Sequence, residues 1–195
     1  SLPPLESARG FPGLGEVIRL VDVAVGARDS VRVVAQIRSE LPALIRRHRE
    51  RLGGNLLRVD PRGYRRIELH HCPIRGYQIL AMVWGPGQGT PVHDHREVWG
   101  IESVWCGELE VADFRPVDVA GEPLRLAPQG VERLAEGDVL GLLPDQGLHL
   151  CRNPGTRDVT VSLHIYARPL DHFNVYLDAG DGWHVRHDHQ PPLER

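Results

Sequence analysis

Between Gly13 and about Leu52 the apolar residues recur at steps of three and four: Leu14, Val17, Ile18, Val21 and Val25, then Val31, Val34, Ile37 and Leu41. That spacing lies on one face of a helix, so two amphipathic helices are predicted. Asp29 and Ser30 supply the N-cap of the second. Pro42 is expected to break that helix or start another, leaving Ala43 to Leu52 as a short basic helix ended by Gly53-Gly54. His48, set among Arg46, Arg47, Arg49 and Arg51, is expected on a solvated face, and residues 1–12, rich in Pro and Gly, should be irregular.

After the turn signal Asp60-Pro61-Arg62-Gly63 the period shortens to two, the mark of strands. Short strands are predicted at Tyr64 to His71, Tyr77 to Trp84, Glu97 to Cys106, Glu108 to Phe114, Val139 to Leu143, Leu148 to Arg152 and Val159 to Tyr166. Many short strands with Gly and Pro turns point to a sandwich or barrel. Arg115 to Ala135, with three prolines, is expected to be a long surface excursion between two halves of that barrel. The organisation is then a helical segment over residues 1–60 packed on a barrel over 61–195, acting as one functional domain.

Composition narrows the function without naming it. With 195 residues and 41% hydrophobic content the chain can bury an ordinary core. A net charge of -3 offers no polyanion-binding signature, and no stretch is apolar enough to span a bilayer, so neither nucleic acid nor membrane is an expected partner. All 23 cationic residues are arginine. Three cysteines, Cys72, Cys106 and Cys151, do not make a disulfide framework. The opening SLPPLESARG lacks the basic start and apolar core of a secretory signal, which makes reduced cytoplasm the expected compartment.

The chemistry concentrates in Gly87 to Gly107, GQGTPVHDHREVWGIESVWCG. On a strand alternate side chains share a face, so His93 and His95 can grip one metal ion from the same side. A set of imidazoles alone leaves coordination positions open for substrate or oxygen. The glycine framing resembles the first cupin motif, and Gly147-Leu148-His149-Leu150-Cys151-Arg152-Asn153 resembles the end of the second, which offers His149 as a third ligand. The usual cupin motif has a metal-binding glutamate where this chain has Gly100. Glu97 and Glu102 do not fall at that spacing, so a shell of three histidines without a carboxylate is expected.

Ser162, His164 and Tyr166 alternate along a single strand, where a hydroxyl can orient an imidazole that orients a phenol. Taken with the His-Asp-His pair, the Gly-Leu-His and the following Pro169-Leu170-Asp171, this SLHIY segment resembles the type I cysteine dioxygenase family, cupin thiol dioxygenases that include bacterial 3-mercaptopropionate dioxygenases. The likeness runs from about Tyr64 to Leu177. It implies a mainly-β cupin fold (a double-stranded β-helix, or jelly-roll barrel) with an N-terminal helical segment. It also implies a mononuclear Fe(II) held by His93, His95 and His149, with a small thiol and O2 as the partners. Ser162, His164 and Tyr166 match the family's catalytic triad beside the iron. Tyr64-Arg65-Arg66 matches the substrate-binding segment, in which Arg66 would clamp a carboxylate with two parallel donors while Arg65 points the other way.

Gly100 stands where animal members carry the cysteine that cross-links to the triad tyrosine, so no Cys-Tyr thioether cofactor is expected. The arginine at 66, where mercaptopropionate enzymes typically have glutamine, leans toward L-cysteine as the substrate. The Val83 to Gln88 run and Trp99-Gly100 resemble the mercaptopropionate group, which keeps that substrate as the alternative. A non-catalytic cupin that binds metal or ligand, and a zinc or manganese isomerase, are the competing classes. His184, His187 and His189 repeat the His-Asp-His spelling without the glycine framing and are read as a frayed, exposed strand end. A monomer or small homo-oligomer fits all of these readings.

Overall fold

The computed structural model describes residues 10–117 and 121–195. The irregular start expected for residues 1–9, and the part of the expected excursion at 118–120, lie outside the described residues. Helix α1 spans Leu14–Ala24 and helix α2 spans Ser30–His48. Asp29 caps α2, its carboxylate accepting from the Val31 N–H at 3.0 Å. Pro42 neither breaks nor starts a helix, because α2 runs straight through it. A proline inside a helix costs about 3 kcal/mol, whereas the stripe Val33, Val34, Ile37, Leu41, Leu44 and Ile45 buries six side chains worth about 1.5–3 kcal/mol each. Burial wins. His48 is not on a solvated face either: it meets Glu16 of α1 at 3.0 Å, as Arg47 does at 2.8 Å, and so ties the two helices together. Gly13 caps α1 at φ 79 and leaves room for that ring, since a Cβ there would stand 2.5 Å from His48 Cδ2.

Eleven strands follow among the described residues: β1 Arg65–His71, β2 Gln78–Trp84, β3 Val92–His93, β4 Gly100–Cys106, β5 Leu109–Pro116, β6 Leu124–Leu134, β7 Val139–Leu142, β8 Leu148–Arg152, β9 Thr160–Tyr166, β10 Phe173–Gly180 and β11 Trp183–His189. One sheet is five-stranded, in the order β1-β2-β9-β4-β7. The other closes on itself in the order β10-β11-β6-β5-β8-β3, with β3 pairing back to β10. The architecture is the mainly-β cupin expected from the motifs, with two helices leading into it. Among the described residues no helix is long and apolar enough to cross a membrane.

Three departures from the sequence expectation have physical causes. The Arg115 to Ala135 stretch is not a free excursion, because β6 pairs with β5 from Leu109↔Leu134 to Pro116↔Leu126. Its side chains are mostly exposed, so no buried alternation marks it, and Pro128 sits beside the register shift at Asp113/Phe114, where a missing N–H is tolerated. The C-terminal histidines do not lie on a frayed end but on β11, which pairs with β10 from Phe173↔His189 to Gly180↔Trp183. Strand β4 starts at Gly100 rather than Glu97, because Arg96 and Glu97 take φ 50 and 57 and turn the chain first.

The five-stranded sheet is buried on both faces. Ile79, Ala81 and Val83 of β2 and Val161, Leu163 and Ile165 of β9 join the helices in one apolar cluster. The alternate residues Leu80, Met82 and Trp84 of β2 look the other way, into a second cluster between the sheets that includes Tyr166. Ser162 and His164 share that inner face. The helices therefore seal the outer face of the sheet while its inner face carries the polar groups of the pocket.

Candidate metal centre

Strands β3 and β8 run antiparallel with His93 directly opposite His149. His95 lies just past the end of β3, and Asp94 between the two histidines is held by Asn174, its N–H donating to the Asn174 carbonyl at 3.1 Å and its carboxylate accepting from Asn174 Nδ2 at 2.8 Å. Both histidine rings turn inward. The three rings converge with centroids 5.0, 4.8 and 4.4 Å apart, and their donor atoms all lie within 4.8 Å of one another.

Hydrogen bonding fixes which nitrogens face the centre. His93 Nδ1 lies 3.0 Å from the Pro91 carbonyl, which can only accept, so Nδ1 carries the proton and Nε2 keeps its lone pair. The buried Nε2 atoms of His95 and His149 have no hydrogen-bond partner in the protein. Buried polar atoms are normally satisfied, so orphaned imidazole nitrogens that meet at one point fit a divalent first-row metal ion. Burial, reinforced by the neighbouring His149, pushes His93 down to about 3, and His95 also lies well below the ordinary histidine range for the same reasons. Both rings are therefore neutral and able to ligate at neutral pH.

A relay lies across the pocket from these rings. Trp84 Nε1, which can only donate, gives its proton to Ser162 Oγ at 2.9 Å. Ser162 Oγ stands 2.8 Å from His164 Nε2 and His164 Nδ1 stands 3.1 Å from Tyr166 Oη; with one Oγ lone pair taken by Trp84, the favoured arrangement has Ser162 donating to Nε2 and the His164 proton on Nδ1. With its oxygen accepting from His164, Tyr166 directs its own O–H into the pocket. Burial holds His164 down to about 4, against the opposing pull of Glu102, and burial beside Glu102 keeps the Tyr166 phenol protonated far above its usual range. Gly100 faces Tyr166 across β4 and β9, and a Cβ there would stand 3.0 Å from the tyrosine ring.

Arg66 closes the third side. It is 4% exposed, Nη2 donates to the Leu170 carbonyl at 2.9 Å, and Nη1 has no partner. Tyr64 lines the same pocket and stacks on Trp84 with centroids 4.6 Å apart. The residues singled out from the sequence, His93, His95, His149, Ser162, His164, Tyr166, Arg66 and Tyr64, thus gather around one centre, although no metal site between β3 and β8 was implied by any one segment. His184, His187 and His189 do not gather: His187 and His189 share one face of β11 and His184 takes the other.

Glu102, set aside above on its spacing, lines the same pocket together with Trp84 and Cys151, which had been given no role. Trp84 orients the relay, and Cys151 lines the pocket with its thiol 3.6 Å from Glu102. Glu102 itself is 1% exposed, with Oε1 3.2 Å from His149 Nε2 though not in hydrogen-bonding alignment. Burial alone would raise its carboxyl, but the facing imidazoles of His149, His164 and His95 hold it below the usual carboxylate range. A lone glutamate within the apolar run of β4 was the available signal.

A cupin barrel that turns three imidazole lone pairs onto one point defines the class: a mainly-β cupin with a candidate metal centre. The chain belongs to the cysteine dioxygenase type I family, whose family model matches residues 30–179. It is 26% identical over 110 residues to cysteine dioxygenase type 1 of Danio rerio, covering 55% of this chain and 53% of that one. It is 27% identical over 97 residues to the Bos taurus protein of the same name, covering 49% and 46%. The chain spans about half the length of these curated relatives. Among solved structures it is similar to an oxalate oxidase in complex with a substrate analogue, glycolate, at TM-score 0.44 and 19% identity over 60% of this chain and 56% of that one. A Cupin_2 domain of an XRE family transcriptional regulator from Enterobacter cloacae aligns at TM-score 0.41 and 16% identity over 55% and 98%.

Proposed function

We propose that this protein is a non-haem Fe(II) thiol dioxygenase that converts a small carboxylate thiol, L-cysteine first among them, to its sulfinic acid. The reaction balances without another reactant: R–SH and O2 give R–SO2H, with both oxygen atoms on sulfur. The observation that carries the reading is the shared site, where the orphaned Nε2 atoms of His95 and His149 converge with His93 beside the unpartnered Nη1 of Arg66 and the Tyr166 hydroxyl. Iron held by His93, His95 and His149 would supply a Lewis-acidic centre for the thiolate and for oxygen activation.

The chain's own residues supply the rest. Arg66 offers one charged donor that the fold leaves unused, suited to a substrate carboxylate. Tyr64, stacked on Trp84, walls the pocket beside that donor. Tyr166, oriented through His164, Ser162 and Trp84, presents a proton near the reacting atoms. The apolar neighbours Met82, Leu170 and Phe173 exclude water from the site. In this reading the helical segment 1–60 backs the sheet and the barrel 61–195 carries the chemistry, in reduced cytoplasm.

Metal analysis combined with oxygen uptake tests the reading. Iron-loaded protein should consume O2 only when thiol is added and should form the sulfinic acid in equal amount. Iron-loaded protein that consumes no O2 with either L-cysteine or 3-mercaptopropionate would instead be a binding cupin.

A further inference from the structure

Strand β1 is an edge of the five-stranded sheet, and past His189 the chain returns to that edge as a strap, residues 190–195. Glu194 pairs with Ile67 in parallel: its N–H donates to the Arg66 carbonyl and its carbonyl accepts from the Glu68 N–H, both at 2.8 Å. Its carboxylate accepts from Nε and Nη2 of Arg65 at 2.8 and 2.7 Å. Arg65 is 4% exposed, so this bidentate pair is a latch made largely out of water. One residue thus grips β1 through backbone and side chain, at the point from which Arg66 enters the pocket.

Arg66 itself is weakly held. Among the described residues its guanidinium makes one hydrogen bond, from Nη2 to the Leu170 carbonyl at 2.9 Å, and Nη1 has no partner. The side chain lines two spaces: the pocket of the histidines, and an open cleft that it shares with Asp171 and the strap. Asp171 attracts the guanidinium toward that cleft. A long, charged side chain with a carboxylate on its wetter side has reason to leave a buried pocket. The strap opposes that turn, since Pro191 is buried, Leu193 packs on the apolar cluster around the pocket, and both wall the cleft beside Arg66. We propose that Glu194 is a positioning residue for Arg66: by latching the strap to the edge of β1 it keeps the guanidinium turned into the pocket. The proposal rests on the proposed function, in which Arg66 binds a substrate carboxylate.

Calorimetry of the iron-loaded protein without oxygen reads the effect. Glu194→Ala should bind L-cysteine roughly tenfold or more weakly than the unaltered protein, with iron content unchanged. Cysteamine, which lacks the carboxylate, should bind both proteins within about twofold. Adding Asp171→Asn to Glu194→Ala removes the outward pull and should restore most of the affinity for L-cysteine; no recovery overturns the proposal. An unchanged affinity of Glu194→Ala for L-cysteine, or an equal loss on cysteamine, also overturns it and leaves the thiol reading standing. An unaltered protein that binds neither thiol removes that reading and the proposal with it. Glu194→Ala strands a buried charge on Arg65 and is at risk of not folding. Ending the chain after His189 instead opens Arg65 to water, and this variant must show the same selective loss for the proposal to hold.

Discussion

Arg65 and Arg66 are neighbours in the chain that serve opposite faces of one strand. Arg65 is locked on the other face, the Nε–Nη2 edge of its guanidinium donating to both Glu194 carboxylate oxygens at 2.8 and 2.7 Å and Nη1 donating to the carbonyls of Asn55 and Arg58. Arg66 turns inward and keeps Nη1 unpaired. Strand alternation thus separates an arginine tied to Glu194 from one that keeps a donor unused in the pocket, the donor that the proposed function assigns to a substrate carboxylate.

Arg66→Gln should therefore lower kcat/KM for L-cysteine by roughly thirty- to a thousandfold, corresponding to about 2–4 kcal/mol for a partly desolvated charged contact, and should lower it much less for 3-mercaptopropionate. Cysteamine, a thiol without a carboxylate, is the control and should be turned over no worse than before. An equal loss on cysteamine would mean that Arg66 holds the fold rather than the substrate.

Replacing His93, His95 or His149 with Ala should abolish iron retention, while the triple replacement of His184, His187 and His189 should keep it. Metal analysis after dialysis reads both. Iron lost only from the triple variant would move the site to β11.

Tyr166→Phe should retain iron and lose on the order of a hundredfold or more in kcat, the usual scale for a positioned proton donor. Trp84→Phe frees Ser162 Oγ to accept from His164, so the proton on Tyr166 is no longer forced inward. Its kcat should fall with metal content unchanged, and its pH–rate profile should shift. A Trp84→Phe enzyme with normal kcat and normal profile would show that the relay does not depend on the indole.

No thioether should form on Tyr166 through position 100, since Gly100 has no side chain. Intact mass before and after turnover should be unchanged. A loss of two hydrogens mapped to a Tyr166 peptide would contradict this.

The metal-free protein should lose stability on acidification. His93 is lowered to about 3 and His164 to about 4, both chiefly by burial, so below the ordinary value of about 6.5 the unfolded chain binds protons that the folded chain refuses. Stability from these two groups is complete above about pH 6.5 and is lost as pH falls toward their folded values, at up to about 1.4 kcal/mol per pH unit for each. The lowered Glu102 adds a loss only below the ordinary carboxylate value. Melting temperatures of metal-free protein should thus drop between about pH 7 and pH 5. A flat profile there would mean that these histidines are not buried neutral.

The sequence by itself determined the elements whose signal is local. Period-two runs placed β2, β8 and β9, the cap at Asp29 placed α2, and alternation put Ser162, His164 and Tyr166 on one face. It also chose the histidines that converge, because motif spacing survives as pairing register: His93 opposite His149. Tertiary structure decided the rest. Pro42 stays helical because a buried stripe outweighs one lost hydrogen bond, and β6 is a strand because β5 pairs with it, although its own side chains face water. Whether Glu102 was a core glutamate or a neighbour of the histidines could not be read from spacing, since only the packing of one sheet on the other brings its carboxylate within 3.2 Å of an imidazole 47 positions along the chain.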